Sequence, residues 1–120
     1  MEKNKQNNRM SFNYKIEIIS KLNVIELRGK LLSDLDIEVL KKEVENFDNH
    51  KVIVDLSDLS HLNSTGIAFL ISLLTKSRTC NGDTVLVNPN KDIVRIIEIS
   101  RLNQIFSIYD SLDEGINHYK

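Results

Sequence analysis

Val52-Ile53-Val54-Asp55-Leu56 runs through Ser57-Asp58-Leu59-Ser60-His61-Leu62 into Asn63-Ser64-Thr65-Gly66-Ile67, and this stretch decides how the rest of the chain is read. Lys51 to Asp55 is short and β-branched, the composition of a central strand buried on both faces. Leu56 to Leu62 is dotted with Ser, Asp and His and reads as a loop. A long helix is expected from about Ser64, carrying Ile67, Phe69, Leu70, Ile71, Leu73 and Leu74. These residues lie on nearly every side of a helix, so it should be largely covered. Asn81-Gly82-Asp83 supplies the helix stop and a turn.

The flanking segments repeat the alternation. Upstream, Phe12, Tyr14, Ile16 and Ile18 alternate with polar residues, the period of a half-buried strand. After a polar break at Ser20 to Asn23, compatible with a hairpin, Val24 to Leu27 forms a second strand that Gly29 ends, with Leu31 and Leu32 as a short extended continuation. Ser33, Asp34 and Asp36 offer N-cap oxygens to a first helix. Ile37, Leu40, Val44 and Phe47 share one face of it, and Lys41, Lys42, Glu43 and Glu45 fall largely on the other. Downstream, Thr84 to Val87 is a short strand, and Asn88-Pro89-Asn90 leads into a helix with Ile93, Ile96 and Ile97 on one face. A short strand around Ile105 to Ile108 and a helix over Leu112 to Tyr119 complete the chain. The order β-β-α-β-α-β-α-β-α predicts an α/β fold with a mainly parallel central sheet and helices on at least one face.

At 120 residues the chain fits one domain. Residues 1–10 are read as a flexible polar leader, and residues 11–120 as the folded unit. Sixteen basic residues stand against seventeen acidic ones, with no block of like charge. The sparse Lys3, Lys5 and Arg9 do not make a nucleic-acid arm, so no nucleic-acid partner is expected. No apolar run approaches the roughly 18 residues that span a bilayer, and the polar N-terminus lacks a signal-peptide core. A single cysteine, Cys80, forms no internal disulfide and is expected to pack at a helix end. Together these features point to a cytoplasmic protein without membrane insertion.

From about Phe12 onward the chain resembles the STAS family, named for sulfate transporters and anti-sigma factor antagonists. The resemblance rests on Val-Ile-Val-Asp at 52–55 followed by Asn-Ser-Thr-Gly-Ile at 63–67. It extends to Gly29-Lys30-Leu31, to Asn81-Gly82, and to Arg101-Leu102 before the last strand. It implies the STAS fold, with a mixed, mainly parallel sheet and helices mostly on one face. It also implies a binding protein of the anti-sigma factor antagonist type, with no catalytic residue and no cofactor. In that type, a partner serine kinase that is also the anti-sigma factor phosphorylates the serine matching Ser64 and releases the antagonist. A PP2C-type phosphatase restores binding. Carried onto this sequence, the acceptor is Ser64, with Thr65 next to it as the fallback. The docking surface comprises Asp34, Asn63, Ser64, Thr65, Gly66 and Phe69. Gly66, bare at the helix start, would let a partner approach closely.

The family's usual aspartate is Asn63 here, which keeps the capping shape and loses the charge. That difference leaves open a STAS scaffold that is never phosphorylated, either in a signalling assembly or as accessory subunit of a lipid-transport ATPase. Asn63-Ser64-Thr65-Gly66 also has the composition of any structural N-cap. An enzyme using Ser64 as nucleophile would need an oriented base, and His61 is the only local candidate. Asp55 and Asp58 fit turn residues better than an acid–base pair. His61 reads as a solvated loop residue, and His50 and His118 are too isolated in sequence for a metal cluster. Oligomeric state is not written in the composition.

Overall fold

The computed structural model describes residues 12–31 and 34–120, and for 31 and 34–36 the backbone alone. The chain runs β1 (Asn13–Ile19), β2 (Leu22–Leu31), α1 (Asp34–Glu45), β3 (Lys51–Leu62), α2 (Ser64–Thr79), β4 (Asp83–Val87), α3 (Lys91–Ser100), a 3-10 turn (Leu102–Gln104), β5 (Ser107–Tyr109) and α4 (Leu112–Asn117). The five strands lie in sequence order in one sheet. β1 is antiparallel to β2, and every later pair is parallel. The expected α/β architecture is therefore present. The proposed leader, residues 1–10, lies outside the described residues, as do the side chains of the expected caps Ser33, Asp34 and Asp36.

β1 and β2 join through Ser20 and Lys21, both left-handed at φ 53° and 67°. That is the two-residue type I′ turn, whose twist suits a hairpin, reached here without Asn-Gly. Gly29 does not end β2. It sits at φ 80° between two register shifts against β3, the position of a bulge, and the strand continues to Leu31. β3 is correspondingly longer than expected, because the presumed loop 56–62 is strand paired with Arg28 to Leu31. The bulges break the two-residue period, so that Leu56, Leu59 and Leu62 all turn inward although they are three apart. A stretch with that spacing reads as loop when only strict alternation is sought.

Pairing Val24 with Ile53 and Ile25 with Val54 assigns alternate residues to opposite faces. On one face Ile25, Leu27, Val52, Val54, Leu56 and Leu86 meet α1, α2 and α3 through Leu40, Leu70, Ile93 and their neighbours. On the other, Leu22, Val24, Ile53, Val85 and Val87 meet α4 through Leu112 and Ile116. Helices thus cover mostly one face. α2 is less enclosed than its composition predicts, since Ile71 is 40% exposed. Ser77, a polar residue of α2, is fully buried and hydrogen-bonded to Thr84 at 2.8 Å. A buried hydroxyl is tolerated because it has that partner. Cys80 caps the end of α2 and is exposed, so the packing role expected of it is not seen.

Candidate functional site

The bulged end of β3 delivers the chain into α2 with Leu62 buried beneath it. Asn63 then takes extended backbone angles and becomes the N-cap. Its Oδ1 accepts the Gly66 N–H at 3.0 Å, and its carbonyl accepts the Ile67 N–H at 2.9 Å. One of the amides that every helix start leaves free is satisfied in this way. Ser64 follows as the first helical residue and is exposed; Thr65 is half-buried. Gly66 is buried, which corrects the expectation that it bares the helix start to a partner. The cap turns its backbone inward, and the outer side of the first turn is formed by Ser64, Thr65 and Ala68.

These residues border a trough between α1 and α2. One part of it, about 420 Å³, is lined by Ile37, Lys41, Ser64, Thr65, Ala68, Phe69 and Ser72. A second part, about 270 Å³, shares Lys41, Phe69 and Ser72 and continues toward Glu45 and Lys76. Phe69 is 3% exposed, so it serves as part of the trough's wall and not as a projecting ridge. Asn63, Ser64, Thr65, Gly66 and Phe69 are thus gathered within two turns of α2, whereas the side chain of Asp34 lies outside the described residues. Sequence reading missed Lys41. It was assigned only to the polar side of α1, and nothing local signals that this side of α1 flanks Ser64.

The trough has an apolar wall, a basic side chain at Lys41 and the exposed Ser64 hydroxyl at its mouth. A phosphate added to Ser64 would sit at the positive end of a 16-residue helix, where anions are stabilised. No hydrogen bond joins His61 to Ser64 among the described residues, and no group of three metal-ligating side chains occurs among them. Asp55 accepts the Ser57 N–H at 3.0 Å, but it and Asp58 lie within β3 and are not the turn residues expected; Asp58 and His61 are exposed. Cys80 lies at the far end of α2, about 24 Å from Ser64 at 1.5 Å per residue. No helix among the described residues is long and apolar enough to cross a membrane.

Residues 9–115 match the STAS domain family. The chain belongs to that family. It is 28% identical over 97 residues to the TM1081 homolog of Thermotoga neapolitana, which is named as a candidate anti-sigma factor antagonist; the match covers 78% of this chain and 86% of that protein. Its fold is shared with the anti-sigma factor antagonist SpoIIAA in unphosphorylated form, at TM-score 0.76 and 19% identity over 89% of this chain and 96% of the other. It is shared as well with Bacillus SpoIIAA in phosphorylated form, at TM-score 0.71 and 18% identity over 90% and 100% of the two chains. Asn63 to Gly66 lie at the junction of β3 and α2.

Proposed function

We propose that this STAS protein is a cytoplasmic anti-sigma factor antagonist that docks onto a serine-kinase anti-sigma factor through the α1–α2 trough. Phosphorylation of Ser64, with Thr65 as second acceptor, releases it, and a PP2C-type phosphatase resets it. The observation that carries this reading is the exposed Ser64 hydroxyl on the first turn of α2, at the mouth of the trough. Unmodified, the Ser64 side chain is small and uncharged and can be covered by a partner. A phosphate adds nearly two negative charges. The helix start and Lys41 accommodate them in the free protein, whereas a docked surface must desolvate them, so the penalty falls on the complex.

The test is peptide mass spectrometry of the protein purified from its own cells during growth and stress, paired with binding to the cognate kinase. Phosphate on Ser64 or Thr65 is expected, and Ser64→Asp should weaken kinase binding by about tenfold or more while Ser64→Ala binds like the wild type. Equal binding by Ser64→Ala and Ser64→Asp rejects the gate.

Asn63 favours a second reading, a docking subunit that is never phosphorylated. Its side chain is committed to the cap, and it brings no carboxylate to the acceptor. Absence of phosphate under all conditions, with a transporter ATPase or a large signalling assembly co-purifying, would establish that alternative.

A further inference from the structure

β1 stands at one end of the sheet, and among the described residues nothing pairs with its outer edge. The geometry of that edge follows from the turn. In a two-residue hairpin the flanking residues, here Ile19 and Leu22, exchange hydrogen bonds, and the pattern alternates from there. Ile19, Glu17, Lys15 and Asn13 therefore turn their N–H and C=O groups toward β2. Tyr14, Ile16 and Ile18 turn theirs outward.

The side chains above and below this edge are self-complementary. On the α1 side Ile18 is 75% exposed and, with Ile16 and Phe47, lines an open groove of about 520 Å³. Tyr14 lies on the same side, its hydroxyl bonded to Glu43. On the opposite side Lys15 and Glu17 are about half exposed and paired with each other at 3.3 Å.

We propose that the β1 edge binds the same edge of a second copy, antiparallel about a two-fold axis at Ile16, so that the two sheets become one. In this register Ile16 exchanges hydrogen bonds with Ile16 of the second copy, and Tyr14 does so with Ile18. Every outward N–H and C=O of the three residues then has a partner. Ile18 comes to lie beside an aromatic ring, a favourable cross-strand pair. Lys15 faces Glu17 of the second copy, and Glu17 faces Lys15, at the closer non-hydrogen-bonded positions. A lone charge on an edge strand repels its own copy and blocks such pairing. Lys-Ile-Glu read antiparallel about its centre presents opposite charges instead. Centring on Lys15 or Glu17 would oppose like charges, and the groups turned toward β2 would face the second copy. Centring on Tyr14 or Ile18 sets the charges against Asn13 or Ile19. Charge and hydrogen-bond direction agree only at Ile16. This pairing does not depend on the reading of Ser64.

The experiment is sedimentation of the full chain from micromolar to sub-millimolar concentration, for the wild type, Lys15→Glu and Glu17→Lys. Both side chains are exposed, so both variants should keep the fold. The wild type is expected to dimerise, each variant to dimerise about tenfold or more weakly, and the two variants mixed together to regain a dimer, because all-acidic and all-basic strands then face each other. A wild type that stays monomeric throughout, or a dimer indifferent to both substitutions, overturns the proposal. Amide exchange supplies a second readout. The Ile16 and Ile18 amides should gain protection as concentration rises. Protection that is full in the dilute monomer would mean that the chain's own residues 1–11 occupy the edge, and would overturn the proposal too.

Discussion

Asn63 carries two demands in a single side chain. Its Oδ1 holds the Gly66 N–H, and it precedes the only side chain on the first turn of α2 that is both hydroxylic and exposed among the described residues. The cap and the proposed acceptor are therefore separable by substitution. Asn63→Ala should lose about 1 kcal/mol of stability, as removal of an N-cap commonly does. Asn63→Asp keeps the oxygen and adds a negative charge beside the helix start, so it should match or exceed the wild type. Ser64→Ala, at an exposed position, should change stability by less than about 0.5 kcal/mol. Urea denaturation of the three variants checks this ordering. A large loss in Ser64→Ala would show that Ser64 is itself a structural cap, and would undercut its reading as a switch.

Among the elements, α2 is held at both ends by backbone-directed contacts. At its end Asn81 is left-handed, the Gly82 N–H reaches the Ser77 carbonyl at 2.7 Å, and the Asn81 N–H reaches the Arg78 carbonyl at 3.3 Å. These are the two hydrogen bonds of a Schellman stop, with Asn where glycine is usual. Gly82 is needed for a different reason. A Cβ there would lie 1.9 Å from the carbonyl oxygen of His50, which is itself fixed by accepting the Asp83 N–H at 3.0 Å. Gly82→Ala must separate the end of α2 from the start of β3. It should cost about 1–3 kcal/mol or more, whereas Asn81→Gly, which relieves a left-handed side chain, should not destabilise. Thermal unfolding of the pair distinguishes close packing from backbone conformation as the cause.

For the molecule as a whole, Tyr119 ties the C-terminus to the centre of the sheet. Its hydroxyl lies 2.7 Å from the Val52 carbonyl and 2.8 Å from that of Asp83, and it accepts the Val52 N–H at 3.1 Å. β3 and β4 are thereby bridged by a residue from beyond α4. His118 beside it contacts Asp83 Oδ2 at 2.9 Å and the Tyr109 hydroxyl at 2.8 Å. Burial, and then the charge of Asp83, push the Tyr119 phenol above its ordinary value of 10. The fold therefore favours the neutral phenol. Its contribution is fully present below about pH 10, the unfolded value, and is lost as pH rises from there toward the folded one. Tyr119→Phe should be less stable than the wild type by about 1–3 kcal/mol at neutral pH. The gap should narrow above about pH 10. Urea titrations of both proteins across that range test the sign; a gap that widens with pH would refute it.

What the sequence determined by itself is local. Val52 to Val54 is β-branched and apolar without interruption, the composition of a strand covered on both faces. The spacing of Ile37, Leu40 and Val44 defines one helical face, and Asn63 announces a cap that the structure uses. The Asn-Ser-Thr-Gly motif, placed after that strand, was enough to indicate the family and the candidate acceptor. Three features came only from tertiary structure, since each depends on a partner remote in sequence. Residues 56–62 are strand because β2, bulged at Gly29, pairs with them. Ser77 is buried because Thr84 on β4 supplies its hydrogen bond. Lys41 borders Ser64 because α1 and α2 pack on the same sheet face. Periodicity reports which way a side chain points from its own element, and only the packing of elements decides what it meets there.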